Sequence, residues 1–424
     1  MKNKYLLAAS IASSLCFNNI SSAQEIHPAL KTVASKILTN AEHISMTKLD
    51  GDIGAIKQYL DIILKTAKDN GESIPESFNI QELFKITGLN TIKAVGKSAK
   101  EIDNAWINHS YLEYSGNKSS LFSFLGEVNQ PHVAANIFPA DVDLALQLQL
   151  DLKELAPMVI KIAELGGKNS TKNDLERIIP ELNISSTELL SKLDFTVNLA
   201  IDVNTDEEAR SNPLNIISNA NSIVRIDGLT WLWDIAEDQL LHQSKTPLKK
   251  SEDKATGIIT YSAPDDMQAQ LMGYKPQLII NKANDHIWIT TNESFYKKCK
   301  SNENKSAKSS AFKAAMETLP QKANSMIYVS KELLLTANEQ YEFAANNNMF
   351  GDDFSKGKKI VDRILEDLVE SDKGWAFVLN KDENGIMLAS RGPVGVHHLS
   401  YLQVAAPLIF YGRMSKSTAD RLTE

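Results

Sequence analysis

The side chains that could do chemistry in this chain are few and scattered. Eight histidines are present, and His397-His398 is their one adjacent pair. Neighbours on a helix point about 100° apart, so these two share a metal poorly. Two histidines four apart with an acid nearby are the stronger metal pattern. Asp50-Gly51-Asp52-Ile53-Gly54 sets two acids two apart, as calcium loops do. Ala55 and Asp61, however, stand where such a loop requires Gly and Glu. A turn that caps the following helix explains the segment better.

Asp265-Asp266 follow Pro264 in a polar loop, where adjacent carboxylates are solvated. Cys299 lies in Phe295-Tyr296-Lys297-Lys298-Cys299-Lys300. The lysines favour a thiolate, whereas a half-buried helix position is the plainer role. Arg225 and Asp227 alternate on one strand face, spaced to pair with each other. Trp231 and Trp233 follow, with Leu229 and Leu232, as a packing seam or as a ligand shelf. No Gly-x-Ser-x-Gly elbow, phosphate-cradling glycine loop or His-Glu-x-x-His helix occurs. These residues assign no catalytic side chain, no cofactor and no metal. A hydrolase would have to bring Asp227, Asp265, His286 and His397 together through the fold.

The N-terminus carries a different signal. Lys2 and Lys4 precede an apolar run from Tyr5 to Phe17, and Ser21-Ser22-Ala23 puts small residues before Gln24. Those are the parts of a secretory signal peptide cleaved between Ala23 and Gln24. The run is shorter than the ~20 apolar residues a bilayer span takes. A lipid anchor at Cys16 is the second choice, because bulky Leu15 precedes it. Cleavage removes Lys2 and Lys4 from 45 basic residues and nothing from 53 acidic ones, leaving a charge of about −10. Such a chain repels phosphate backbones, which argues against nucleic acid as a partner. Cleavage also takes Cys16, so Cys299 has no cysteine to pair with. A secreted or periplasmic chain of this length then relies on its core.

The elements that must position these residues follow from periodicity. Residues 24–75 read as helical, with Ile53, Ile56, Leu60, Ile63 and Ala67 forming one stripe. Asn79 caps a second helix that Gly88 stops. Strands are expected near 91–99, 105–114, 142–148, 194–203, 221–227, 257–262, 276–281, 286–291, 326–329, 374–380 and 385–391. Helices are expected near 151–165, 172–191, 229–241, 331–346, 355–370 and 396–413. The capping box Ser185-x-x-Glu188 supports one of these starts. Leu399–Tyr411 is too short and too polar for a span, and reads as a core or interfacial helix.

An internal repeat organises the list. Phe138-Pro139 precedes the strand Val142–Leu148, and Leu319-Pro320 precedes Met326–Val329. Asp151 lies twelve residues after the first proline, and Glu332 twelve after the second. A Ser-Ser-apolar-Phe start, Ser119–Phe122 and Ser309–Phe312, comes before each. Gln243–Thr256 reads as the linker between halves. The expected class is α+β: two similar lobes of antiparallel sheet packed with helices, preceded by an N-terminal helical segment. The divisions are 1–23 signal peptide, 24–87 helical segment, 88–250 first lobe and 251–424 second lobe.

Several motifs resemble those of a family of uncharacterised exported bacterial proteins built around a Pro-Ala-Asp strand motif. They are Gly88-Leu89, Ala94–Ser98, Asn108–Tyr114, Leu121–Gly126, Phe138–Asp143, Leu150–Leu152, Arg225–Gly228, Leu319-Pro320 with Tyr328–Ser330, and Ala405–Pro407. The likeness spans about residues 85 to 410. It implies export and supplies no site residues. The second copy departs from the motif, reading Pro320-Gln321-Lys322. The functional expectation is a non-catalytic envelope protein that binds a protein partner or an apolar ligand, with no transmembrane helix in the mature chain. An exported hydrolase and a peripheral membrane protein using Leu399–Tyr411 are the alternatives.

Overall fold

The computed structural model describes residues 27–397 other than 73, 77, 116–119, 127–129, 169, 181, 204–219, 244–247, 264–275, 302–304, 348–361 and 363–373. Residues 1–23, Ala23-Gln24, Asp265-Asp266, most of 355–370, His398 and Leu399–Tyr411 therefore lie outside the described residues.

The chain opens with α1 (Pro28–Lys36), β1 (His43–Lys48), α2 (Asp50–Asp69) and α3 (Ile80–Thr87). Next come β2 (Ile92–Ile102), β3 (Ala105–Tyr114), β4 (Gln130–Pro131), α4 (Val133–Ile137) and β5 (Leu144–Asp151). Then follow α5 (Leu155–Leu165), α6 (Thr171–Glu176), β6 (Ile178–Ile179), β7 (Ile184–Ser185), α7 (Ser186–Ser191), β8 (Asp194–Asp202), β9 (Asn221–Asp227) and α8 (Thr230–Gln243). The second half holds β10 (Lys249–Asp253), β11 (Ile258–Ser262), β12 (Gln277–Asn281), β13 (His286–Thr290), α9 (Glu293–Lys300) and α10 (Ser310–Met316). It ends with β14 (Lys322–Ala323), β15 (Ser325–Val329), α11 (Lys331–Asn346), β16 (Trp375–Lys381) and β17 (Gly385–Gly392).

Local chemistry sets several of these boundaries. Asn79 accepts from the N–H groups of Gln81 (2.7 Å) and Glu82 (3.2 Å) to start α3, and Gly88 at φ 78° stops it. A left-handed residue there suits glycine. Ser185 Oγ accepts from Glu188 N–H at 3.1 Å to start α7. The expected helix over 172–191 is divided instead, because Pro180 cannot donate and Asn183 takes φ 53° between β6 and β7. Strand β1 interrupts the expected helical segment, and β10 forms inside the expected linker. The Ser-Ser segments also differ: Ser309 caps α10, whereas the helix ahead of Phe138-Pro139 is α4 and Leu121–Leu125 forms a separate 3₁₀ turn.

Thirteen strands form one antiparallel sheet in the order β1-β2-β3-β17-β16-β15-β5-β8-β9-β13-β12-β11-β10. The protein is thus α+β with a large antiparallel sheet. Both halves of the chain share that sheet. They join where β5 pairs with β15, and each lends a hairpin to the other. The β2–β3 hairpin pairs on β17, and the β12–β13 hairpin pairs on β9.

Polar contacts fix the exchange. Asp285, in the β12–β13 turn, accepts from Thr230 N–H at 3.0 Å and from its hydroxyl at 2.5 Å, so one half caps α8 of the other. Buried Lys305 donates its Nζ to Ile137 O (2.9 Å) and Cys299 O (2.5 Å), tying the Phe138-Pro139 motif to the second half. The main core lies on one face of the sheet. There Ala145, Ala200, Ile223, Met326, Val378 and Ala389 meet α4, α9 and α10 through Ala134, Phe295, Phe312 and Ala315. Alanines on the strands let the helices approach closely.

Candidate functional site

Strand β5 shows the two faces most clearly. Its sequence is Leu-Ala-Leu-Gln-Leu-Gln-Leu-Asp, so period two puts four leucines on one side and Ala145, Gln147, Gln149 and Asp151 on the other. Burial falls opposite to polarity. Ala145, Gln147, Gln149 and Asp151 are buried, while Leu144, Leu146, Leu148 and Leu150 are half-buried.

Gln147 of the buried polar set is bonded on both sides of its amide to the segment that covers it. Gln147 Oε1 accepts from Ala134 N–H at 3.2 Å, and its Nε2 donates to Pro131 O at 3.2 Å. The leucine face, by contrast, carries one row that runs sideways across seven strands without a polar residue. Leu278, Ile289, Val224, Leu199, Leu146, Ile327 and Phe377 stand opposite one another in a single row from β12 to β16. Seven strands at about 4.8 Å spacing make a row of about 29 Å. Ile289 (47 % exposed) and Ile327 (37 %) lie in it, and Leu388 on β17 (43 %) continues the face. At one end α8 covers the face, with buried Trp233 packed among Tyr261, Ile280 and Ile287. The face is thus half-buried, with Ile289, Ile327 and Leu388 open to solvent, and apolar positions left open in this way mark interaction sites where they cluster.

The polar candidates converge only in part. Arg225 and Asp227 do pair, Nε to Oδ1 at 2.6 Å, and His286 Nδ1 lies 2.8 Å from the same oxygen. Asn198 Nδ2 donates to Asp227 Oδ2 at 3.1 Å. Arg225 Nη2 is 3.3 Å from His286 Nδ1, and the shorter contact makes that nitrogen a donor to Asp227. Burial opposes ionisation of Asp227, but the His286 and Arg225 donors outweigh it and hold the carboxyl below its usual range. Trp288 lies under the guanidinium, 5.4 Å from ring centroid to Cζ. Proximity of Asp227 and His286 favours acid–base chemistry; the bonding opposes it. Both carboxylate oxygens already accept from protein donors, and Arg225 supplies the counter-charge.

The remaining candidates sit elsewhere. His397 stacks on His43 at 3.8 Å between ring centroids and meets Trp106 edge-on at 4.5 Å. Asp50 and Asp52 form the first turn of α2, where negative charge suits a helix start. Trp231 donates Nε1 to Gly228 O at 3.1 Å, and Trp233 packs the seam under α8. Cys299 is buried, and burial pushes its thiol up to about 12, which leaves no thiolate nucleophile. Among the described residues no group of three His, Cys, Asp or Glu side chains could hold a metal, and no helix is long and apolar enough to cross a membrane.

The leucine face was not singled out by sequence. Alternation in β5 defines two faces, but which face the helices cover is decided by segments far away in the chain. No family model, no curated protein and no solved structure matches this chain.

Proposed function

We propose that this is an exported binding protein that holds an apolar ligand, or the apolar surface of a partner, against the leucine face of its sheet. The observation that carries the reading is the inversion in β5, where leucines stand half-exposed and glutamines are buried. Each buried polar side chain costs free energy unless bonded, and apolar surface left in water forgoes about 25 cal/mol per Å². A sheet laid out this way gains from a ligand that dries the apolar face. In this proposal the signal peptide cleaved between Ala23 and Gln24 delivers the chain to the periplasm or outside the cell. A duplicated unit, read from the repeat of Phe138-Pro139 at Leu319-Pro320, supplies the broad sheet.

Native mass spectrometry of the protein purified from its own envelope tests this. A co-purifying lipid or apolar molecule, released by detergent, is the expected result. Apoprotein alone, joined to a measurable hydrolytic turnover that Asp227→Asn abolishes, would replace this reading with the hydrolase.

A further inference from the structure

Two arginines hold matching places on the helix-covered face of the sheet. Outward from the pair Leu146 and Ile327, β8 carries Leu199 where β16 carries Phe377, and β9 carries Val224 where β17 carries Ser390. The next residues are Arg225 on β9 and Arg391 on β17, which by alternation turn to the opposite face. The charge of Arg225 is met locally. Asp227, two residues on, accepts from its Nε at 2.6 Å, and Asn198, opposite Arg225 on β8, donates to that carboxylate at 3.1 Å. In the second half neither group is present. Pro393 stands two residues after Arg391, and Ala376 stands opposite it.

Arg391 is nonetheless the more buried of the two. Its side chain is 1 % exposed, between buried Ala376 and Ile107 on the neighbouring strands. Its Nε is buried without an acceptor. Among the described residues its ion-pair partner is Glu317, which follows α10 and reaches Nη1 at 3.1 Å. Glu317 is 70 % exposed, so the carboxylate that meets this buried charge comes in from solvent. A cation taken out of water needs a well-placed partner. An exposed side chain is a poor one, because fixing it costs rotamer entropy and water competes for it. A guanidinium also takes a carboxylate best through two parallel N–H groups, whereas Glu317 uses one.

We infer that Arg391 is a binding site for the carboxylate of a small acid, and that Glu317 is the resident group this acid displaces. Glu317 already seats a carboxylate on Nη1, and the path from solvent runs along its side chain. Turning Glu317 aside opens that path, and the incoming carboxylate then meets the guanidinium fork. Apolar neighbours and an acidic chain favour a single negative charge over a phosphate dianion. Arg391 lies on the opposite face of the sheet from the leucine row, so the site does not depend on a ligand there.

Isothermal titration calorimetry of the full mature chain with sodium acetate, at ionic strength held constant with sodium chloride, tests the inference. Wild type is expected to bind acetate weakly, because Glu317 competes from within the same chain at high effective concentration. Glu317→Ala removes the competitor and lowers the acetate Kd on the order of tenfold. That variant also leaves the guanidinium unpaired, so its thermal midpoint falls in chloride and rises again with acetate. Adding Arg391→Lys keeps the charge but removes the fork, and raises the Kd on the order of tenfold. Circular dichroism checks that each variant is folded. No acetate binding by Glu317→Ala, an affinity equal to wild type, or a double variant that binds as tightly as Glu317→Ala each overturns the inference. Tighter binding of phosphate than of acetate overturns the assignment to a carboxylate. If the double variant does not fold, the midpoint of Glu317→Ala decides: a rise with acetate no larger than that of wild type overturns the inference.

Discussion

Leu146 of β5 stands opposite Ile327 of β15, and the sheet is laid out symmetrically about that pair. Leu144 faces Val329 and Leu148 faces Ser325, so the offset that carries Pro139 to Pro320 also carries Leu144 to Ser325, Leu146 to Ile327 and Leu148 to Val329. Outward from the pair the correspondence continues. Asn198 pairs with Arg225 on one side as Ala376 pairs with Arg391 on the other. The two arginines differ in use: Arg225 holds Asp227, whereas buried Arg391 reaches exposed Glu317 at 3.1 Å.

Replacing Gly228 with alanine should destabilise the protein by roughly 2 kcal/mol or more. Gly228 has φ 95°, and an added Cβ would lie 2.6 Å from Asp194 O, a backbone atom that cannot swing aside. Urea unfolding would show a lower midpoint with an unchanged slope.

Removing the Lys305 ammonium should cost about 2 kcal/mol, because Lys305→Met leaves one buried and one partly buried carbonyl without their donor. Those carbonyls, Ile137 O and Cys299 O, lie on opposite sides of the junction between halves. Hydrogen exchange should rise in α4 and α9 before the rest of the sheet.

Asp227 predicts an acid dependence. Its folded pKa lies below the ordinary aspartate value, so its stabilisation is present above about pH 4 and is lost as pH falls through the folded value. Asp227→Asn should lower stability at neutral pH by about 1 kcal/mol, discounted for partial exposure, and flatten the acid limb of a stability–pH curve. An acid limb identical in both proteins would contradict the assignment.

Cys299 should resist alkylation. With its thiol pushed up to about 12 and its side chain buried, iodoacetamide at pH 8 should leave the native protein unmodified over a time that modifies the urea-unfolded chain completely. Intact mass reads the result directly.

Much of the strand list was legible because period-two alternation and turn residues act locally. The Arg225–Asp227 pair followed from spacing alone, as did the caps at Asn79 and Ser185. Strand β1 was not legible: His43–Lys48 lacks a covered face and owes its extended form to pairing with β2. Nor was the meeting of His286 with Asp227, which depends on the hairpin exchange. The inversion of β5 was hidden for the same reason. Its alternation is local, while the helices that choose its buried face come from both halves.

Binding at the leucine face is tested most directly by the affinity of the mature protein for a fluorescent apolar probe, wild type against Leu146→Glu. Leu146 lies mid-row between Leu199 and Ile327 and is half-buried, so a charge there spoils an apolar contact. Saturable binding by wild type is expected, with affinity at least tenfold weaker in the variant, whose native fold circular dichroism confirms at the assay temperature. Equal affinity in both folded proteins, or no binding by wild type, would contradict it.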